Sequence, residues 1–314
     1  MTPTNIDDMI IQAFAADGFA VRFIGPAVLS ISLPGASDFK VDIGEWYTQV
    51  QQASPAILPD VVAEFAASFG RGFRKSSQRT AVHEAVDADI EKMLAEETLR
   101  VRIYPEDALA QAPDLRDSLV TRTLAPGLVE TVVIDKPDSI VSLPRTGLGG
   151  KTVPQVMGAA LHASLTREPI YAHTEDVFGV PLTYVGGTQR YVGSHIHVLS
   201  RYVGPAPYGA LVSFPLPEYL LVHEIGTVHL IQAMAVMQEV TDRLFKQGDK
   251  SISAQLYWWQ PGSYEQAPEQ ERLASGKVPD LRPVGVEVDS EEKSITPLTA
   301  AAGDLITRWF RENT

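Results

Sequence analysis

The sequence predicts an α+β fold, mostly antiparallel or mixed sheets with helices packed on them. Paired β-favouring runs predict the sheets: Ala210 to Phe214 and Tyr219 to His223 flank Pro215-Leu216-Pro217-Glu218, which is too short for a helix and suits a hairpin turn. A helical period predicts the covering layer. Leu230, Ile231, Met234, Met237, Thr241, Leu244 and Phe245 recur at three- and four-residue spacing, making one amphipathic helix over 228–246 with Thr227 as its N-cap. Its apolar stripe needs a partner, and the sheet containing the hairpin supplies one. At 314 residues, 45% hydrophobic and 21% charged, the chain can bury a substantial core and form two domains of ordinary size.

Taken in order, Thr4-Asn5 caps a first helix through about Asp17, with Met9, Ile10, Ala13 and Phe14 on one face and Gly18 ending it. Strands follow at Val21 to Ile24, Ala27 to Leu33 and near Phe39 to Ile43. Trp46-Tyr47 starts a short helix, and Val61 to Phe69 forms another. After the charged run Arg71 to Arg79, a helix is expected from Thr80 to about Thr98, lined by Val82, Val86, Ile90 and Met93. These elements make a smaller N-terminal subdomain over 1–97 and leave a larger α+β domain over 98–314.

The second domain opens with Leu99 to Tyr104, whose alternation of apolar and basic residues fits a half-exposed strand. Leu119 to Arg122 and Leu128 to Asp135 are strands around Ala125-Pro126-Gly127, where the Pro-Gly step favours a type II turn. Val141 to Thr152 is glycine-rich and loop-like. Val153 to Leu165 is helical, Ile170 to His173 and Leu182 to Val185 are short strands, and His195 to Ser200 is strand-like. Ile252 to Trp259 is a further strand, Gln260 to Pro283 a surface loop, and Leu298 to Arg311 the last helix.

Residues Leu99 to Pro105, Leu119-Val120-Thr121-Arg122, Leu124-Ala125-Pro126-Gly127-Leu128-Val129-Glu130 and Val132-Val133-Ile134-Asp135 resemble the central signature of the YtpQ-like bacterial family, a domain of unknown function. The stretch from Val41 to Ser68 is similar to that family's N-terminal part, and the likeness continues through Phe178, the hairpin and Leu256-Tyr257. The family tends to carry a Pro-x-Arg-Asp-like turn after the first hairpin strand, whereas this chain has Pro215-Leu216-Pro217-Glu218 with no arginine. The resemblance implies the α+β fold and a cytoplasmic location, and no established activity.

Charge narrows the partners. Lys plus Arg total 26 against 39 Asp plus Glu, a net charge of −13, which repels phosphate backbones and anionic lipid and favours a basic protein partner. Nucleic acid and membrane are not expected partners. The absence of cysteine removes disulfides, thiolate metal sites and a cysteine nucleophile, and it fits a cytoplasmic protein. MTPTNIDDMI lacks a signal peptide's basic and apolar regions, and no run is long enough to span a bilayer.

Chemistry concentrates on histidine. His195 and His197, two apart on an expected strand, face the same way and could hold one divalent metal, with a third ligand from His223, Glu224 or His229. His223 and His229 are six apart, not the four that helix-face ligation in a metalloprotease needs. The G-x-S-x-G elbow of serine hydrolases is missing, and TGLGGKT lacks the first glycine of a phosphate loop. Glu106-Asp107 and Glu175-Asp176 fit solvated turn carboxylates. Trp258 and Trp259 point to opposite faces of a strand, so one can be core and the other exposed; an exposed one is a candidate interface anchor, and a core or edge-covering aromatic is the preferred reading. No catalytic residue and no cofactor are assigned on this reading. The expected function is a non-enzymatic regulatory or neutralising protein that binds a basic partner; the alternative is a metal-assisted hydrolase using His195, His197 and His223.

Overall fold

A computed structural model describes residues 6–16, 19–32, 39–51, 57–68, 89–110, 113–136, 139–226, 228–248, 250–289, 291 and 294–313. The chain divides into two units, Met1–Val86 and Asp87–Thr314. In the first, helix α1 (Ile6–Ala16) precedes the antiparallel strands β1 (Ala20–Gly25), β2 (Val28–Ser32) and β3 (Phe39–Asp42), then α2 (Gly44–Gln51) and α3 (58–68). Ile10 and Phe14, four apart on α1, meet Leu29 and Ile31 of β2, Val50 of α2, and Val62 and Ala66 of α3 in one core. The expected caps at Thr4-Asn5, the stop at Asp17-Gly18 and the charged run Arg71 to Arg79 lie outside the described residues.

The helix expected from Thr80 is described only as α4 (Ile90–Ala95), which belongs to the second unit; its earlier part lies outside the described residues. Next come β4 (Leu99–Pro105), α5 (Glu106–Ala110), α6 (Pro113–Ser118), β5 (Thr121–Ala125), β6 (Leu128–Lys136) and β7 (Ser139–Ser142). Strand β6 is the spine of this four-stranded sheet, with β4 along one edge and β5 and β7 sharing the other. The expected loop from Val141 instead contains the end of β7 and a 3-10 turn, Arg145–Leu148. Helix α7 (Val153–Thr166) starts at a capping box, in which the Thr152 hydroxyl accepts the Gln155 amide and the Gln155 side chain accepts the Thr152 amide. Its Ser164 hydroxyl accepts the Val101 N–H at 2.9 Å, fixing the helix on β4.

Strands β8 (Ile170–Val177) and β9 (Val180–Gly187) form a hairpin. A 3-10 segment, Val192–Arg201, follows, then β10 (Ala210–Leu216), β11 (Tyr219–Glu224), α8 (Leu230–Gln247), β12 (Leu256–Gln260), α9 (Ser263–Gln266), α10 (Glu269–Ala274) and β13 (Asp280–Val284). A small hairpin of β14 (Val286–Asp289) and β15 (Ser294–Pro297) leads to α11 (Ala300–Asn313). The second sheet runs β13-β12-β10-β11-β9-β8, antiparallel at every junction. One face packs against α8 and α11, where Leu211, Leu221 and Trp258 meet Met234, Met237 and Leu305. The other packs against the 3-10 segment and the β5–β6 turn, where Val212, Phe214 and Trp259 meet Ile196, Leu199 and Leu124. Burial on both faces explains why β10 and β11 read as continuous apolar runs.

Two expectations fail here. His195 to Ser200 is not a strand: Val192, Ile196 and Leu199 stand four and three apart, a helical spacing, and all three are buried in the core. Gly193 permits the close approach, since a Cβ there would sit 2.5 Å from Ile103 Cδ1. Nor is Gln260 to Pro283 a surface loop. It folds into α9, α10 and β13, and it buries Tyr264, Arg272 and Leu273.

The β8–β9 hairpin turns on two residues, Phe178 (φ 54°) and Gly179 (φ 79°), the type I′ geometry that matches strand twist. Phe178 is 70% exposed, and its carbonyl accepts the Gln232 amide of α8.

Candidate functional site

The three candidate metal ligands have separate environments. The Tyr202 hydroxyl bonds His195 Nδ1 at 2.5 Å, and His195 Nε2 is buried without a partner. His223 Nδ1 donates to the Pro181 carbonyl at 2.9 Å. His197 Nε2 lies 2.7 Å from Glu130. Among the described residues, no three His, Asp or Glu side chains stand together as a group that could hold a metal ion. Burial lowers the pKa of all three histidines, His195 to about 4.

The other sequence candidates are engaged locally. Glu224 accepts the Gly204 and Ala206 N–H groups, and His229 packs edge-on to Trp309 and Phe310. Glu106 pairs with Arg116 at 2.7 Å, Asp176 accepts the Gly179 N–H, and Lys151 of the glycine-rich loop pairs with Glu91. Trp258 and Trp259 do point to opposite faces, but both are buried, because both faces of the sheet are covered. Their indoles donate inside the fold, Trp258 to the Tyr208 carbonyl and Trp259 to Glu265, so neither is an exposed anchor.

What the fold assembles instead is a buried polar chain around Glu130. This carboxylate is 0% exposed, in the middle of β6, opposite Arg122 in the β5–β6 register. Arg122 Nε donates to Glu130 Oε2 at 2.5 Å, and Nη1 donates to the Lys277 carbonyl at 3.0 Å. Burial works against the charged carboxylate, but the Arg122 guanidinium, aided by His197, overcomes it and holds Glu130 at about 2. Burial outweighs Glu130 at His197 and keeps that ring neutral. His197 Nε2 faces both Glu130 Oε1 at 2.7 Å and Arg122 Nη2 at 3.1 Å; because the shorter contact is to a carboxylate, which can only accept, the neutral ring carries its proton on Nε2 and donates it to Glu130. Nδ1 is then left to accept the Tyr264 hydroxyl at 2.5 Å. Arg272 stacks over the Tyr264 ring at 5.7 Å.

One end of this chain, Tyr264, lines a cleft of about 760 Å³, and the other end, Arg122, holds the carbonyl of Lys277 in its wall. Its walls are the Leu124-Ala125-Pro126 turn, the segment from Gln260 to Glu265, and the loop from Lys277 to Leu281. One buried carboxylate therefore ties three walls: the β5–β6 turn through Arg122, α9 through His197 and Tyr264, and the α10–β13 loop through the Lys277 carbonyl. With Glu130 and His197 fully enclosed, the arrangement braces the cleft rather than presenting an acid and a base to it. Sequence reading missed Glu130, Arg122 and Tyr264. The one local signal was an acidic residue inside the apolar run from Leu128 to Ile134.

The second surface feature is the edge of the six-stranded sheet at β8, which pairs with no further strand among the described residues. All of β8 except its two terminal residues is exposed, with Tyr171 at 47%. Tyr171 and His173 stack in sequence toward Tyr184 of β9, making an aromatic row beside Glu175 and Asp176. No helix among the described residues is long and apolar enough to cross a membrane. Comparison with protein-family models, with curated proteins and with solved structures returns no match.

Proposed function

We propose that this chain is a non-enzymatic binding protein that regulates or neutralises a basic protein partner, gripping an extended segment of that partner along β8. The edge at β8, uncovered among the described residues, carries this reading. An eight-residue strand at a sheet edge turns about four pairs of backbone N–H and C=O groups outward, ready to accept another strand. Proteins ordinarily blunt such edges with lysine, proline, a bulge or a cover. Ile170 to Val177 contains no lysine or proline, and its register against β9 is unbroken. The carboxyl-bearing side chains on it are Glu175 and Asp176, and the chain as a whole is acidic at −13, so a Lys- or Arg-bearing strand is the complementary occupant.

Peptide display against the intact chain tests the reading. Extended, basic, β-prone sequences should be enriched and should protect the amides of residues 170–177 from hydrogen exchange. Ala172→Lys, which adds the missing edge lysine, should weaken them about tenfold or more. Enriched peptides that bind Ala172→Lys as well as the parent, or that protect another segment, would overturn it.

A further inference from the structure

We infer that the cleft between the β5–β6 turn, α9 and the α10–β13 loop is a binding site for a small carboxylate with an apolar body. Its walls are braced in advance by the Arg122–Glu130–His197–Tyr264 chain, so a ligand need not order them, and at about 760 Å³ it has the size of a small-molecule pocket. Buried apolar residues Leu124 and Leu281, with Val278, supply a surface for an apolar body.

The polar lining is asymmetric. Its two carboxylates are already engaged: Glu265 accepts the Trp259 indole and the Gly262 amide, and Asp280 accepts two bonds from Arg282. Its unengaged groups can all donate. The Lys277 ammonium, the Ser263 hydroxyl and the Gln260 amide have no side-chain hydrogen-bond or ion-pair partner among the described residues. A ligand completing this set offers acceptor oxygens, and a carboxylate does so while meeting the lysine charge. The cleft is separate from the β8 edge, so this inference does not depend on the protein-binding reading.

Fluorine NMR titration of the intact chain with 4-(trifluoromethyl)benzoate and its neutral partner 4-(trifluoromethyl)benzamide tests it. The carboxylate should saturate and bind about tenfold more tightly than the amide, the worth of one charge-assisted hydrogen bond. Lys277→Gln, at an exposed position, should erase that preference. Ser263→Trp, which fills the cleft from an exposed position, should remove binding of both. Non-saturable binding of the carboxylate, equal affinity for the two compounds, or binding retained in Ser263→Trp would each overturn the assignment.

Discussion

The two edges of the six-stranded sheet are finished in opposite ways. At β13 the strand carries Pro283, which has no N–H to offer, and an Asp280–Arg282 pair. The Pro283 carbonyl accepts the Thr299 hydroxyl at 2.7 Å. Just upstream, the Lys277 carbonyl is held by Arg122 of the other sheet. At β8, by contrast, the outer backbone meets no side chain or loop among the described residues, although the strand is longer. The same fold closes one edge with a proline, an ion pair and side-chain bonds to its carbonyls, and leaves the other without such devices among the described residues. An edge closed that thoroughly on one side argues that openness on the other is a working feature and not a general looseness of the sheet.

The largest expected effect comes from cutting the brace behind the closed edge. Glu130→Ala leaves the largely enclosed Arg122 without its carboxylate and should cost about 3 kcal/mol in urea unfolding. Hydrogen exchange should then accelerate over residues 277–284 while 170–177 stays as in the parent. Equal loosening of both edges would dissolve the contrast.

Acid should act next. His195 and His197 have pKa values below the ordinary 6.5 because burial disfavours their charged forms, so the stability they contribute is complete above pH 6.5 and declines as pH falls. For His195 the decline runs from 6.5 to about 4 and amounts to about 3 kcal/mol. Glu130, lowered from 4.5 to about 2, adds a second loss between those values. Urea midpoints measured from pH 7 to pH 3 should fall in this order, with residues 192–202 loosening before β8. A midpoint flat down to pH 4.5 would contradict the placement of His195.

Smallest in stability is Ala172→Lys at the open edge, within about 0.5 kcal/mol of the parent because the position is exposed. Coupled with the loss of peptide binding, that near-neutrality separates a docking edge from a structural one. A larger loss in thermal unfolding would mean that β8 is held by something besides β9.

The scaffold was legible in the sequence wherever one period dominated. The β10–β11 hairpin and α8 announce themselves because continuous apolar runs and a stripe at three and four residues leave few alternatives. The 3-10 segment imitates a strand because His195-Ile196-His197 alternates over three residues, while the spacing from Val192 to Ile196 to Leu199 extends over eight. The longer pattern decided the fold. Within the site, Arg122 and Glu130 are eight apart across a turn, so their pairing follows from hairpin register once Glu130 is suspected. Lys277 and Tyr264 were beyond reach, because each meets the network only through tertiary packing across more than sixty residues of chain. For Trp258 and Trp259 the core reading holds and the anchor reading does not: alternation says that they face opposite ways, and only the layers say that both ways are inward.

Phe178 sets two selective demands against each other. At the tip of the β8–β9 hairpin it adopts a left-handed backbone conformation that costs a non-glycine residue roughly 1–2 kcal/mol, while holding a large apolar ring in water. Glycine there would relieve the backbone and delete the ring in one step. A campaign that scored variants of this chain by heat resistance alone would therefore drift toward glycine at the tip. It would return a sturdier molecule with a blunter hairpin.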